Sequence, residues 1–264
     1  MNKRQLIKDV LLLNLPKLIL RFHKFTALLK RQLVLPANNY SATKRYYDIP
    51  IIINNRNRHT CLRLMIDWLM SAGYKNIVVL DNNSRYKPLL DYYKNSPVKV
   101  IYLKENMGHL AFWKTPVYRE YYRDYYVYTD PDILPVAECP ADFMSHFMAL
   151  LNKNPNVEKV GFGLKIDDLP DTYDRKNEVI YWENQFWQKE IETGVYDARI
   201  DTTFALYKPF TNAALWPQNA LRTGGNYVAR HLPWYEDSRN ETEESRFYRA
   251  EVKEGASHWI RKDV

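Results

Sequence analysis

The chain has 264 residues, 46% of them hydrophobic, enough for one large domain with a real core, or for a domain with an appendage. Its net charge of +7 is unevenly placed: residues 1–49 hold ten Lys and Arg against two Asp, which leaves the remainder close to neutral. A neutral body argues against nucleic acid as a partner, because a nucleic-acid groove needs a basic stripe to meet phosphates. The only two cysteines, Cys61 and Cys139, form no zinc pattern; they read as packing residues and suit a reducing, cytoplasmic compartment.

Residues 3–31 mix Leu, Ile and Phe with Lys and Arg. Within them the longest uncharged stretch is Val10 to Pro16, far short of the ~20 apolar residues a spanning helix needs. No small-residue cleavage site follows, so a signal peptide is not expected. Pro16 is expected to divide the arm into two helices. Two readings fit: a helix lying in a membrane interface, drawn by anionic lipids, or a helix packing its Leu face on the body or on a partner. Residues 35–49 read as a linker, so residues 1–49 form an amphipathic helical arm and residues 50–264 the body.

The body alternates strand and helix. Pro50–Ile53 is a short β-branched run that suits a buried parallel strand. Thr60 is placed to cap a helix carrying Leu62, Met65, Ile66 and Leu69, which Gly73 ends. Strands are predicted at Asn76–Leu80, Val98–Tyr102, Tyr125–Thr129 and Val160–Leu164, and helices at Pro88–Tyr93 and Asp142–Leu151. This pattern predicts an α/β fold with a mostly parallel sheet flanked by helices. Ligands of such sheets sit past the carboxyl ends of the strands. Polar clusters stand there: Asn54, Asn55, Arg56 and Asn57; Asp81, Asn82, Asn83 and Ser84; Asp130 and Asp132. Neither a glycine-rich dinucleotide fingerprint nor a Walker loop is present.

With 17 Asp in the chain, chance supplies about one Asp-x-Asp pair. Asp130-Pro131-Asp132 gains weight from ending a strand, with Pro131 stiffening the turn. Two carboxylates held together repel, and a hard divalent cation relieves that repulsion while bridging phosphate oxygens. The competing reading is a solvated turn.

The first half resembles a glycosyltransferase of the GT-A fold, in particular family 2. The matching elements, in order, are Asn57-Arg58 in NNRNR, Asp81 and Ser84 in LDNNS, Asn106-Met107-Gly108, and the acidic pair in YYVYTDPD; the Pro and Tyr usual before Asn-Arg are missing. The second half resembles family members only loosely. The resemblance implies that residues 50–135 bind a nucleotide sugar and residues 136–264 an acceptor, a glycan or a lipid-linked one, in surface polysaccharide synthesis. Asn54, Asn57, Arg58, Asp81, Ser84, Asn106, Gly108, His109 and Asp130 would face the nucleotide. Asp81 would meet uracil, which points to a UDP-linked donor. Asp130, Asp132 and His231 would hold Mn2+ or Mg2+, with His258 competing for the third place.

Inversion at the anomeric carbon needs a general base. Asp237, Asp201 and Asp168 are the candidates, with Asp167 and Glu236 beside them. The resemblance favours Asp237, because family members often carry the base in an acidic pair well past the metal motif, where Glu236-Asp237 stands. Asn240 and Glu243 read as a capping box for a last helix, with Arg246 and Arg249 toward its end. Trp182, Trp187 and Trp234 could stack on a sugar or fill the core. Arg222-Thr223-Gly224-Gly225 reads as a mobile loop able to close over substrate. Two other functions compete. A nucleotidyltransferase acting on a sugar phosphate would want a glycine-rich loop where NNRNRHT has no Gly. A non-catalytic membrane adaptor leaves the strand-end carboxylates unexplained.

Overall fold

The computed structural model describes residues 19–31 and 45–251. The division of the arm at Pro16 and most of the linker lie outside the described residues. Helix α1 spans residues 19–31. Then come β1 (Ile51–Asn55), α2 (Thr60–Ser71), β2 (Ile77–Asp81), α3 (Lys87–Tyr93), β3 (Lys99–Tyr102), α4 (Ala111–Lys114), α5 (Tyr118–Tyr121) and β4 (Tyr126–Thr129). The second half holds β5 (Ile133–Pro135), α6 (Phe143–Lys153), β6 (Lys159–Leu164), α7 (Lys176–Asn184), β7 (Glu190–Glu192), β8 (Val195–Asp197), β9 (Ala205–Tyr207), β10 (Ala220–His231) and α8 (Glu243–Glu251).

One sheet runs in the order β3-β2-β1-β4-β9-β6-β10-β8-β7, with β5 also paired to β10. Strands β1 to β4 pair in parallel. Strand β9 runs antiparallel between β4 and β6, and β10 returns parallel to β6. The layout is α/β, with the parallel half expected from the sequence continued by a mixed one in which antiparallel pairs dominate. Both faces are covered. Ile51 and Ile53 enter one core with Leu62, Met65 and Ile66 of α2; Ile52 enters the other with Phe112, Tyr126 and Tyr128. All three isoleucines are fully buried, which stabilises the fold by about 1.5–3 kcal/mol each.

Gly73 ends α2 with φ +97, a left-handed conformation that suits glycine. The start of α2 differs from expectation. Thr60 is its first residue, and neither it nor His59 supplies a side-chain cap. Instead the Glu244 carboxylate, from α8, accepts from the His59 amide at 3.0 Å, the Thr60 amide at 2.9 Å and the Thr60 hydroxyl at 2.7 Å. The capping box on α8 is corrected too. Thr242 Oγ1 accepts from the Ser245 amide at 3.1 Å, so Thr242 and not Asn240 caps that helix.

The Arg222–Gly225 segment is not a loop. It lies inside β10, with a register shift between Thr223 and Val228. Arg222 and Thr223 pair with β6 on one side and β8 on the other, and Gly224 and Gly225 fall within the shift. The Arg222 guanidinium pairs with Glu183 at 2.6 Å beneath the Phe186 ring. Trp234 is 1% exposed and belongs to the core; Trp187 packs on Tyr196, whereas Trp182 is half exposed on α7.

Helix α1 docks at the edge of the sheet opposite the strand-end cluster. Arg31 donates to the Pro209 carbonyl at 2.7 Å and to Thr211 Oγ1 at 2.6 Å. Because β9 is antiparallel to β4, the chain after Tyr207 passes the amino end of β4, where the Tyr126 hydroxyl reaches the Thr211 carbonyl. Among the described residues no helix is long and apolar enough to cross a membrane.

Candidate active site

The loops after β1, β2 and β3 are tied to one another by asparagine side chains. Asn57 takes a left-handed φ of 56, which asparagine tolerates. Its amide donates to Ser84 Oγ at 3.0 Å, and its Oδ1 accepts from the Arg85 and Tyr86 amides. Asn82 Oδ1 accepts from the Met107 amide at 2.7 Å, while Asn82 Nδ2 donates to the Gly108 carbonyl at 2.9 Å. Asn54 donates to the same carbonyl at 3.4 Å. Asn106 Oδ1 accepts from the Gly108 amide, and Gly108 has φ +77. His109 is exposed beside it, its carbonyl taken by the Tyr128 hydroxyl. Three of the four sequence elements that carry the resemblance are therefore one hydrogen-bonded surface.

Asp81 sits differently from expectation. It is 2% exposed, and both oxygens are engaged, Oδ1 by the Tyr93 hydroxyl at 3.1 Å and Oδ2 by the Ser84 amide at 3.0 Å. Asn55 donates to the same Tyr93 hydroxyl at 2.8 Å. Asp81 thus braces the loop that carries Ser84.

The acidic pair joins β4 to β5. Strand β5 pairs with the end of β10, placing His231 opposite Ile133, and the Leu232 amide donates to the Asp132 carbonyl at 2.8 Å. This register brings His231 Nε2 to 3.6 Å from Asp132 Oδ2. Burial holds the His231 imidazole below its usual range, the uncharged form in which imidazole binds metals. Burial, and then the neighbouring Asp132 charge, push Asp130 well above the usual carboxylate range. Thr202 Oγ1 donates to Asp130 Oδ2 at 2.7 Å.

Among the described residues no three His, Cys, Asp or Glu side chains converge into a finished metal site. The donor set still fits a divalent cation. Asp132 Oδ1 and His231 Nδ1 are buried without a hydrogen-bond partner among the described residues, and such orphaned atoms cost free energy unless something meets them. Carboxylate oxygens suit Mn2+ or Mg2+, and the added imidazole favours the transition metal of the two.

The candidate bases separate. Asp201 is exposed, adjoins Thr202 and adds its charge to the field on Asp130. Asp237 folds back on its own turn, accepting from the Arg239 amide at 3.0 Å. Asp168 is held by Arg230 and by the Tyr235 hydroxyl. His258 lies outside the described residues.

Sequence reasoning missed the part played by α8. The Arg58 guanidinium lies 3.9 Å from the Tyr248 ring centre, donates to Ser245 Oγ at 3.3 Å and stands 3.8 Å from Glu236. Arg56 donates to the Asn82 and Asn83 carbonyls and meets Glu251 at 3.4 Å. The Phe247 and Tyr86 rings are 5.0 Å apart. Helix α8 therefore walls the strand-end cluster. Cavities of about 380 and 390 Å³ lie elsewhere, one against Tyr47, Gly73 and Asn76 and the other against Trp113, Pro116 and Asn212. Thr202 and Tyr248 had no sequence signal, since neither falls in a recurring pattern.

No family model matches the chain, and no curated protein matches it. Solved structures match in part. A cytidylyltransferase from Leptospira borgpetersenii serovar Hardjo-bovis shares 18% identity at a TM-score of 0.32, over 52% of this chain and 71% of that one. GalNAc-T7, in a structure with UDP, GalNAc and Mn2+, shares 12% identity at a TM-score of 0.41, over 66% of this chain and 42% of that one. The match thus spans less than half the length of GalNAc-T7. At these values the likeness is partial and distant.

Proposed function

We propose that this chain is a glycosyltransferase that moves a sugar from a nucleotide diphosphate donor to a hydroxyl of a glycan or lipid-linked acceptor. The observation that carries this reading is the contact of Asp132 with His231 beside Asp130, at the end of β4 and on the sheet edge that carries the interlocked Asn57, Ser84 and Gly108 loops. Asp130, Asp132 and His231 would hold a divalent cation, which when bound neutralises charge on the departing diphosphate.

The chain's own residues divide the remaining work. Asn57, Ser84, Asn106 and Gly108 shape the loops on the nucleotide side. Asp201, exposed next to the half-buried pair, takes the proton from the acceptor hydroxyl. The acceptor oxygen then bonds to the anomeric carbon, the carbon–oxygen bond to phosphate breaks, and its electron pair leaves with the diphosphate. Attack from the face opposite the leaving group inverts the anomeric centre. A UDP-linked donor is our assignment from the resemblance of the LDNNS element alone, with Asp81 itself bracing the loop through Tyr93 and Ser84. The basic arm and the scarcity of cysteine support a cytoplasmic enzyme of surface polysaccharide synthesis, peripheral on the membrane.

The test is a panel of UDP- and GDP-sugars with and without Mn2+, read by release of the free diphosphate. Metal-dependent UDP release that disappears in Asp132→Asn supports the assignment. Release of pyrophosphate from a nucleoside triphosphate and a sugar phosphate would replace it with nucleotidyl transfer.

A further inference from the structure

Helix α1 is amphipathic, yet it docks on the body not by its most apolar side but by a mixed stripe anchored through two basic residues. Leu20, Lys24, Ala27 and Arg31, spaced i, i+4, i+7 and i+11, form the inward stripe. Ala27 and Arg31 are buried, and Lys24 donates to the Pro217 carbonyl at 3.1 Å. Arg31 also meets Glu158 at 3.4 Å, so the anchor is a set of directed polar contacts rather than an apolar seam.

The opposite side is the apolar one. Phe22, Phe25 and Leu29 are 64%, 58% and 46% exposed, and Ile19 adjoins them. At 100° per residue, Phe22 and Leu29 lie almost directly opposite the docked stripe. Arg21 and Lys30, both exposed, flank this apolar strip on its two sides, Lys30 with its Nζ 5.8 Å from the centre of the Phe210 ring on the body. On the body, Leu215 is 51% exposed two residues from the carbonyl that receives Lys24. An apolar strip rimmed by basic residues and left facing solvent marks an interaction surface.

Charge selects the occupant. Residues 1–49 carry ten basic and two acidic residues, so a second copy of this face would meet like charge. An anionic lipid surface meets opposite charge and offers acyl chains to the aromatic and Leu side chains. We infer that Ile19, Phe22, Phe25 and Leu29 insert into the interface of an anionic membrane, with Arg21 and Lys30 on the headgroups. Lys24 and Arg31 fix the helix to the body, so the membrane holds the domain in a set orientation, not on a slack tether. The inference does not depend on the chemistry at the other edge of the sheet.

The experiment is co-sedimentation of the full chain with phosphatidylcholine vesicles, with and without phosphatidylglycerol. Wild type is expected to partition onto the anionic vesicles, more weakly as salt rises. The exposed triple variant Phe22→Ser, Phe25→Ser, Leu29→Ser should lose at least ~10-fold in partitioning with an unchanged thermal melt. Arg21→Gln with Lys30→Gln should lose the anionic preference. Wild type remaining in the supernatant, or the triple variant binding like wild type, would overturn the proposal. So would a wild-type dimer that the triple variant converts to monomer, which would assign the face to a second copy.

Discussion

The Thr202 hydroxyl donates to Asp130 Oδ2 at 2.7 Å, and the Asp130 amide donates back to the Thr202 carbonyl at 3.1 Å. This two-way bond fixes the carboxylate that ends β4 and sets Asp201 beside it. It explains how a carboxylate disfavoured by burial and by Asp132 keeps one orientation. Asp130→Asn keeps an acceptor for Thr202 and removes the repulsion with Asp132. The variant should therefore melt at or above wild type while losing at least ~100-fold in turnover. A thermal melt read beside a diphosphate-release assay checks both halves.

Mn2+ should stabilise the wild-type chain. A cation at a hundred times its Kd contributes about 2.7 kcal/mol, or roughly 5–10 °C in a domain of this size. His231→Ala should remove most of that rise, because Asp132 then loses the partner at 3.6 Å. Scanning calorimetry with and without Mn2+ reads it directly; an undiminished rise in the variant would move the third ligand elsewhere.

Asp201 and Asp237 make opposite forecasts. Asp201→Asn is expected to lower kcat by about 100-fold or more with the donor KM little changed, as removal of a general base does. Asp237→Asn, whose carboxylate caps its own turn, should stay within a few-fold of wild type. Steady-state kinetics on the two variants decide between them.

Glu244 joins the last described helix to the start of α2 through three hydrogen bonds. Glu244→Ala leaves the first-turn amides of α2 uncapped and should cost about 1–3 kcal/mol in a urea titration. Glu243→Ala, one position away, serves as the control.

Lys159 gives a pH signature. Its ammonium is buried, bonded to the Asp201 carbonyl at 3.0 Å and the Tyr207 hydroxyl at 3.2 Å, and burial lowers its pKa to about 7 from an ordinary 10.5. Between those values the unfolded chain binds more protons than the folded one, so stability rises with pH from about 7 toward 10. Below that window both states are protonated and the full cost of burying the charge remains. Lys159→Met should flatten the rise, which denaturant titrations at pH 7 and 9 would show.

The parallel half was readable because its signals are local. Pro50–Ile53, Ile77–Asp81 and Tyr126–Thr129 are short apolar runs buried on both faces, and each ends in polar residues. Such runs need no knowledge of their neighbours to read as strands. The second half was harder: β7, β8 and β9 are three residues each, and β10 carries Gly224 and Gly225 inside a strand. Two glycines in a row read as a loop; here they fall in a register shift of a strand whose preceding residues, Arg222 and Thr223, pair with both β6 and β8.

For the site, the amino-acid sequence alone determined the inventory: two carboxylates at a strand end, and asparagine-rich turns on the same sheet edge. Only the tertiary structure decided who meets whom. The β5–β10 register brings His231 to Asp132, the turn before β9 brings Thr202 and Asp201 to Asp130, and α8 brings Tyr248 to Arg58. Those pairs are far apart along the chain, and strand register, which turns on every intervening loop, is what sets them side by side. The same holds for the arm. Its composition named an amphipathic helix, but which face stays free depended on Lys24 and Arg31 finding carbonyls on the body.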